Sequence, residues 1–139
     1  MKIEVLNLDS ISKAYQKRAD KMERKLASSI KTEANQIKAR TQSGIDVFGA
    51  PFKPYSLYWA IEREQRGLQS SYVDLTFTGD MFRAMKTRVQ KLGNKIIGTI
   101  YFDSTDAQDK AYSNEKLGRY FFALNQKQAE NIRNNLRSP

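Results

Sequence analysis

The sequence predicts an α+β protein: a long N-terminal amphipathic helix, with shorter helices packed on a small antiparallel sheet. Three observations predict it. Apolar or small residues recur at steps of three and four from Ile11 through Tyr15, Ala19, Met22, Leu26, Ile30 and Ala34 to Ile37. The stretch TRVQKLGNKIIGTIYF alternates about a Gly93-Asn94 turn, as a hairpin does. Between and after these lie short capped segments with helical spacing.

Taken in order, KIEVL (2–6) alternates and suits a short edge strand. Asp9 or Ser10 provides an N-cap for the long helix, expected over 10–42. The mean step of its stripe, about 3.7, exceeds the heptad value and disfavours a left-handed coiled coil. Its opposite face carries Lys13, Lys17, Arg18, Lys21, Arg24, Lys25, Lys31, Lys38 and Arg40 against Asp20, Glu23 and Glu33. Unbroken, such a helix spans about 50 Å, against a diameter of about 37 Å for a compact domain of this size. It then overhangs its domain and leaves apolar surface for a neighbouring copy. The alternative is a break near Ala27-Ser28-Ser29 that folds the halves together.

Gly44 is placed to close the helix. The loop SGIDVFGAPFKPYS follows, stiffened by Pro51 and Pro54 around Phe52 and Tyr55. A helix is expected over 54–66, ended by Gly67, then a polar connector and a strand over VDLTFT (73–78). Thr78 caps a short helix in GDMFRAMK, and the hairpin comes next. Thr105-x-x-Gln108 reads as a capping box opening a helix over 106–116, ended by Gly118. YFFAL (120–124) is a strand or a buried turn, and Asn125-x-x-Gln128 opens a last helix with Ala129, Ile132 and Leu136 on one face. No repeat or second domain is visible, so residues 1–139 read as a single domain.

A hydrophobic content of 40% with 11% aromatics supports a globular core. The chain has no cysteine and no histidine. That excludes disulfides, thiolate metal sites, His-based triads and HExxH zinc centres. Asp103, Asp106 and Asp109 are spaced by three, which fails the calcium-loop pattern and suits a helix start. Glu62 and Glu64 point apart on a helix. We therefore expect no catalytic residue, no metal and no cofactor, a carboxylate-only hydrolase being the remaining enzyme reading. The net charge of +9 implies either a polyanion nearby or simple solvation. The basic face at Lys13, Lys17, Lys21, Arg24 and Lys25, extended by Arg40, Lys53 and Arg63, makes nonspecific nucleic-acid binding the main alternative function.

The loop SGIDVFGAPFKPYS after a basic helix, then DLTFTGDMFRAM, a hairpin and KAYSNEKLGRYFFALNQKQAENI, resembles the phage virion morphogenesis family. The resemblance covers about residues 36–133. It is carried by Arg40, Gly44, Asp46, Gly49, Phe52 and Tyr55, then Leu75, Thr78, Gly79 and Met81, and finally Gly118, Arg119, Phe122 and Leu124. It implies a structural tail-completion protein of the phage head-tail junction, assembled in the host cytoplasm. The role implied is a homo-oligomeric ring joining tail to neck, with connector or tail-tube proteins as partners and without cofactor or membrane. The candidate subunit interface is Ile30, Ile37, Phe48, Phe52 and Tyr55. Phe52 and Tyr55 either dock on a neighbouring copy or anchor the loop on their own core.

Overall fold

The structure, a computed structural model, describes residues 1–5, 13–76 and 78–138, with side chains of the first helix described from Gln16 onward. The expected cap at Asp9 or Ser10, together with Ile11, Phe77 and the side chains of Lys13 and Tyr15, lies outside these residues. The order is β1 (Lys2–Val5), α1 (Lys13–Gln42), α2 (Leu57–Gln65), α3 (Asp80–Arg83), β2 (Met85–Leu92), β3 (Lys95–Phe102), α4 (Thr105–Lys116) and α5 (Gln126–Arg137). The three strands form one antiparallel sheet in the order β1-β3-β2, with Lys2 opposite Thr99 and Val5 opposite Ile96. This is the α+β fold the sequence predicts. The chain forms two compact units, each assembled from separated segments. The first takes Met1–Asn35, Lys86–Tyr101 and Gln126–Pro139; the second takes Gln36–Met85 and Phe102–Asn125.

α1 is continuous through Ala27, Ser28 and Ser29, so the folded-back alternative does not occur. None of those residues breaks a helix, and the apolar spacing carries across them. Its thirty residues span about 45 Å. From Leu26 to Ile37, however, the stripe is covered by the chain itself. Leu26, Ile30 and Ile37 are fully buried and Ala34 nearly so, while Ala19 and Met22 are half-buried. The expectation that the overhang leaves apolar surface bare for a neighbouring copy is thereby corrected for Leu26 to Ile37; Ile11 and the Tyr15 side chain lie outside the described residues. Glu33, assigned from sequence to the charged face, is also buried.

In the first unit the sheet meets α1 at very close range. A Cβ at Gly98 would lie 3.2 Å from Leu26 and 3.3 Å from Ile30, so glycine there lets the strand seat against the helix. Ile96 and Ile100 flank it on the same face of β3 and are fully buried. α5 runs along the Lys25, Ser29 and Glu33 flank of α1; its Ile132 is buried and its Gln128 side chain donates to the Glu33 carbonyl at 3.3 Å. Asn135 hydrogen-bonds Ser29, and Lys25 reaches Ser138 at the end of α5.

The second unit is organised around aromatic rings. Phe121 is fully buried, with Phe82, Phe102 and Phe122 packed around it at centroid distances of 6.3, 6.5 and 6.2 Å. The segment 120–124 is irregular rather than a strand, with Phe121 buried and Tyr120 48% exposed. Its backbone groups are satisfied locally: Arg40 donates to the carbonyls of Phe121 and Ala123, and the Val47 amide to that of Tyr120. Residues 73–76 are likewise irregular, contrary to the expected strand. There Asp74 captures the Thr76 amide at 2.9 Å, and Leu75 sits at φ 54°, so a ladder cannot continue. A left-handed leucine costs about 1–2 kcal/mol.

Helix ends follow side-chain chemistry, with small shifts from expectation. α2 begins at Leu57 rather than Pro54, because the Ser56 hydroxyl accepts from the Trp59 amide. α4 is capped by Ser104, one residue before the anticipated Thr105, and Gln108 reaches back to the Phe102 carbonyl. Gly44, Gly67 and Gly118 close α1, α2 and α4 through paired Schellman bonds, as for Ile45 to Arg40 and Gly44 to Thr41. At Gly44 the requirement is double: φ is +84°, and a Cβ would lie 2.7 Å from the Tyr72 ring. Gly49 shares the sign of φ, at +83°, but has open space around it. Chemical denaturation should therefore separate Gly44→Ala from Gly49→Ala. Each loses about 1 kcal/mol to backbone strain, and G44A loses about a further 1–2 kcal/mol to the clash.

Candidate interaction surface

The candidate site is built in the second unit, from Asp74 outward. Its carboxylate accepts from Arg63 at 3.1 Å, Tyr55 at 3.2 Å, Gln69 at 2.9 Å and the Thr76 amide at 2.9 Å. Arg63 is only 4% exposed. Its other nitrogens donate to the carbonyls of Gln69 and Thr76, at 2.8 and 2.9 Å, and its guanidinium lies 4.7 Å above the Tyr55 ring. A buried arginine so arranged has its donors directed at fixed acceptors and holds three chain segments in register. Burial pushes the Tyr55 phenol above its usual range, with Asp74 and Arg63 acting on it in smaller and opposing ways.

This anchor fixes the orientation of α2. With Arg63 turned inward, Leu57, Tyr58 and Ile61 share the outward ridge and are 78%, 71% and 46% exposed. Tyr58 and Trp59 stack edge-on at 5.8 Å. A charged or polar ridge is the usual state for the outer face of a short surface helix; here it is apolar and aromatic.

A second apolar point is offered by the loop between α1 and α2. Asp46 accepts from the amides of Phe48 and Ala50, both at 2.9 Å, and its own amide donates to the Ala50 carbonyl at 2.8 Å. Ile45 and Pro51 bridge below, and the Phe52 amide donates to the Gly44 carbonyl. The loop is thus a tight turn clasped by one aspartate, with Phe48 at its tip. Phe48 is 78% exposed and packs edge-on with Tyr120 at 6.2 Å.

These placements sort the candidate interface residues. Phe48 stands free for a partner. Ile30 and Ile37 are fully buried and Phe52 is 6% exposed, so all three belong to the chain's own core and leave a neighbour no surface. Tyr55 is half-buried within the Arg63–Asp74 network. Phe52 therefore anchors the loop on its own unit, and the docking alternative is corrected for it; Tyr55 is tied to Asp74 but keeps part of its ring at the surface. The ridge of Leu57, Tyr58 and Ile61 was not read as a surface from sequence. Its signal was the spacing of these residues opposite Arg63.

The cations divide as well. Lys17, Lys21 and Arg24 on α1 are exposed and Lys25 is half-buried. Asp20 and Glu23 on the same helix both pair with Lys91 of β2, and Lys91 holds the Asp20 carboxyl below its usual range. The proposed extension past the loop does not form. Arg63 is buried, and Arg40 is turned to backbone carbonyls, with burial lowering its pKa and Asp46 opposing that; only Lys53 faces solvent. Asp106 pairs with Lys110 at 2.8 Å, and Glu62 with Arg66 at 3.0 Å. Among the described residues no group of three His, Cys, Asp or Glu side chains converges as metal ligands, and no helix is long and apolar enough to cross a membrane.

No family model, no curated protein and no solved structure matches this chain. Phe52→Ala should cost about 3–4 kcal/mol in equilibrium unfolding, and Phe48→Ser less than about 0.5 kcal/mol. Arg63→Met, which strands the Asp74 carboxylate, should cost about 3 kcal/mol or more.

Proposed function

We propose that this protein is a structural assembly subunit that packs against copies of itself through the outward ridge of α2 and the Phe48 loop tip. The observation that carries this reading is the exposure of Leu57, Tyr58 and Ile61 on a helix whose orientation is locked by Arg63. An apolar face on a mobile helix can turn away from water; this one cannot, and its burial against a partner is favourable by roughly 25 cal/mol per Å² of apolar area. The preorganised loop supports the same reading, because little conformational freedom remains at Phe48 to be lost on docking.

The biological setting we propose is the head-tail junction of a tailed phage, where a ring of copies joins tail to neck. This rests on the sequence resemblance. Its motif residues meet in one compact unit: Arg40 donates to the 121–123 turn, and Arg119 lies 5.7 Å above the Tyr55 ring. The resemblance therefore tracks a local scaffold and not scattered positions.

A second reading, nonspecific nucleic-acid binding, is favoured by the exposed Lys17, Lys21 and Arg24. Lys17, Lys21 and Arg24 alone neutralise about three phosphates, which gives a log-log salt slope of about −3. Sedimentation analysis separates the readings. The wild-type chain should form a defined oligomer, and a Leu57→Ser, Ile61→Ser double variant should remain folded and shift to monomer. A monomeric wild type across the micromolar range, with tight DNA binding and a slope near −3, contradicts the assembly reading and favours the second.

A further inference from the structure

Beside the α2 ridge, on the inner side of the same helix, the second unit has an open cleft of about 360 Å³. Tyr55, Trp59, Leu75 and Met81 form its apolar walls, and Lys110 and Arg119 contribute cations. Most charges at this cleft are already matched. Arg63 is paired with Asp74, Lys110 with Asp106, and Asp80 with Arg83. Arg119 differs. Its guanidinium donates to the Asn114 side chain at 3.2 Å and lies against Tyr55, its Nε is buried with no hydrogen-bond partner, and among the described residues no carboxylate pairs with it. A cation so placed, with apolar walls around it, is short of one anionic acceptor.

Backbone strain coincides with the cleft. Leu75, the one non-glycine described residue with positive φ, sits at 54° and lines it. Strain held at a concave surface marks binding sites more often than plain scaffold.

We propose that this cleft binds an acidic peptide segment of a partner protein, taking one Asp or Glu carboxylate on Arg119 and the adjoining apolar side chain against Trp59 and Met81. The proposal rests on the assembly reading and names the chemistry of a partner in it. Charge count selects a peptide over nucleic acid. One unmatched guanidinium satisfies one carboxylate, whereas a nucleic-acid strand brings successive phosphates to a cleft that also presents Asp80. Apolar walls beside a single cation match an acidic residue with a hydrophobic neighbour.

The chain has a single tryptophan, and it lines the cleft, so the test is direct. The full chain is titrated with the capped dipeptides acetyl-Phe-Glu-amide and acetyl-Phe-Gln-amide while Trp59 emission is followed. The glutamate peptide should give a saturable change and bind about tenfold more tightly than its glutamine isostere, the value of a charge-assisted hydrogen bond. Arg119→Gln, checked for folding by circular dichroism, should bring the two peptides within about twofold. Lys110→Gln should keep the preference. Equal binding of both peptides to the wild type overturns the proposal, and so does preferential displacement of the glutamate peptide by a ten-residue oligothymidylate. Loss of preference in Lys110→Gln, with Arg119→Gln unaffected, overturns the assignment to Arg119. Copy number is read separately by sedimentation. A monomer that prefers the glutamate peptide thus refutes the ring and keeps the cleft, and a ring without that preference does the reverse.

Discussion

The buried Arg63 guanidinium is the constraint on which the second unit depends. It sits 3.1 Å from the Asp74 carboxylate and donates to two backbone carbonyls, and in doing so ties α2 to the irregular segment 69–76. Desolvating an arginine is expensive, and only nearly complete pairing offsets it. The arrangement therefore admits few alternatives. If Arg63 points inward, Leu57, Tyr58 and Ile61 must point outward, because the helical repeat places them on the opposite side. The same inward turn presents Tyr55 and Trp59 to the cleft. One electrostatic cluster thus sets both the apolar ridge and the pocket beside it.

The two units solve their packing problems differently. The first uses shape: glycine in β3 lets the strand approach Leu26 and Ile30, and α5 is tied to α1 through Gln128 and Asn135. The second uses a ring cluster about Phe121 and side chains that replace backbone ladders. Arg40, Asp46 and Asp74 each satisfy backbone groups in stretches without regular structure. Loops held this way behave as rigid parts, and rigid loops with exposed aromatic tips suit a protein whose task is contact.

Regular periodicity was legible in the sequence. The stripe of α1, the Gly93-Asn94 hairpin and the glycine stops at positions 44, 67 and 118 all follow from spacing and φ preferences that no distant contact overrides. What escaped was decided by long-range polar chemistry. VDLTFT alternates like a strand, yet Asp74 has an arginine partner eleven residues away in sequence and turns the backbone to meet it. Arg63 reads as a surface cation until Asp74 and the 69 and 76 carbonyls are known to converge on it. Phe52 and Phe48 are equally apolar on paper. Their opposite fates follow from the Asp46 turn, which buries one and extends the other. The apolar length of α1 suggested a bare stripe because β3, which covers Leu26 and Ile30, lies far along the chain.

The central claim is that copies of this chain meet through the α2 ridge and the Phe48 tip, and hydrogen–deuterium exchange as a function of protein concentration tests it most directly. Residues 45–61 should gain protection on going from nanomolar to high micromolar concentration, while the exposed face of α1 around residues 16–25 exchanges at an unchanged rate. Unchanged exchange over 45–61, or protection gained only along α1, contradicts the account.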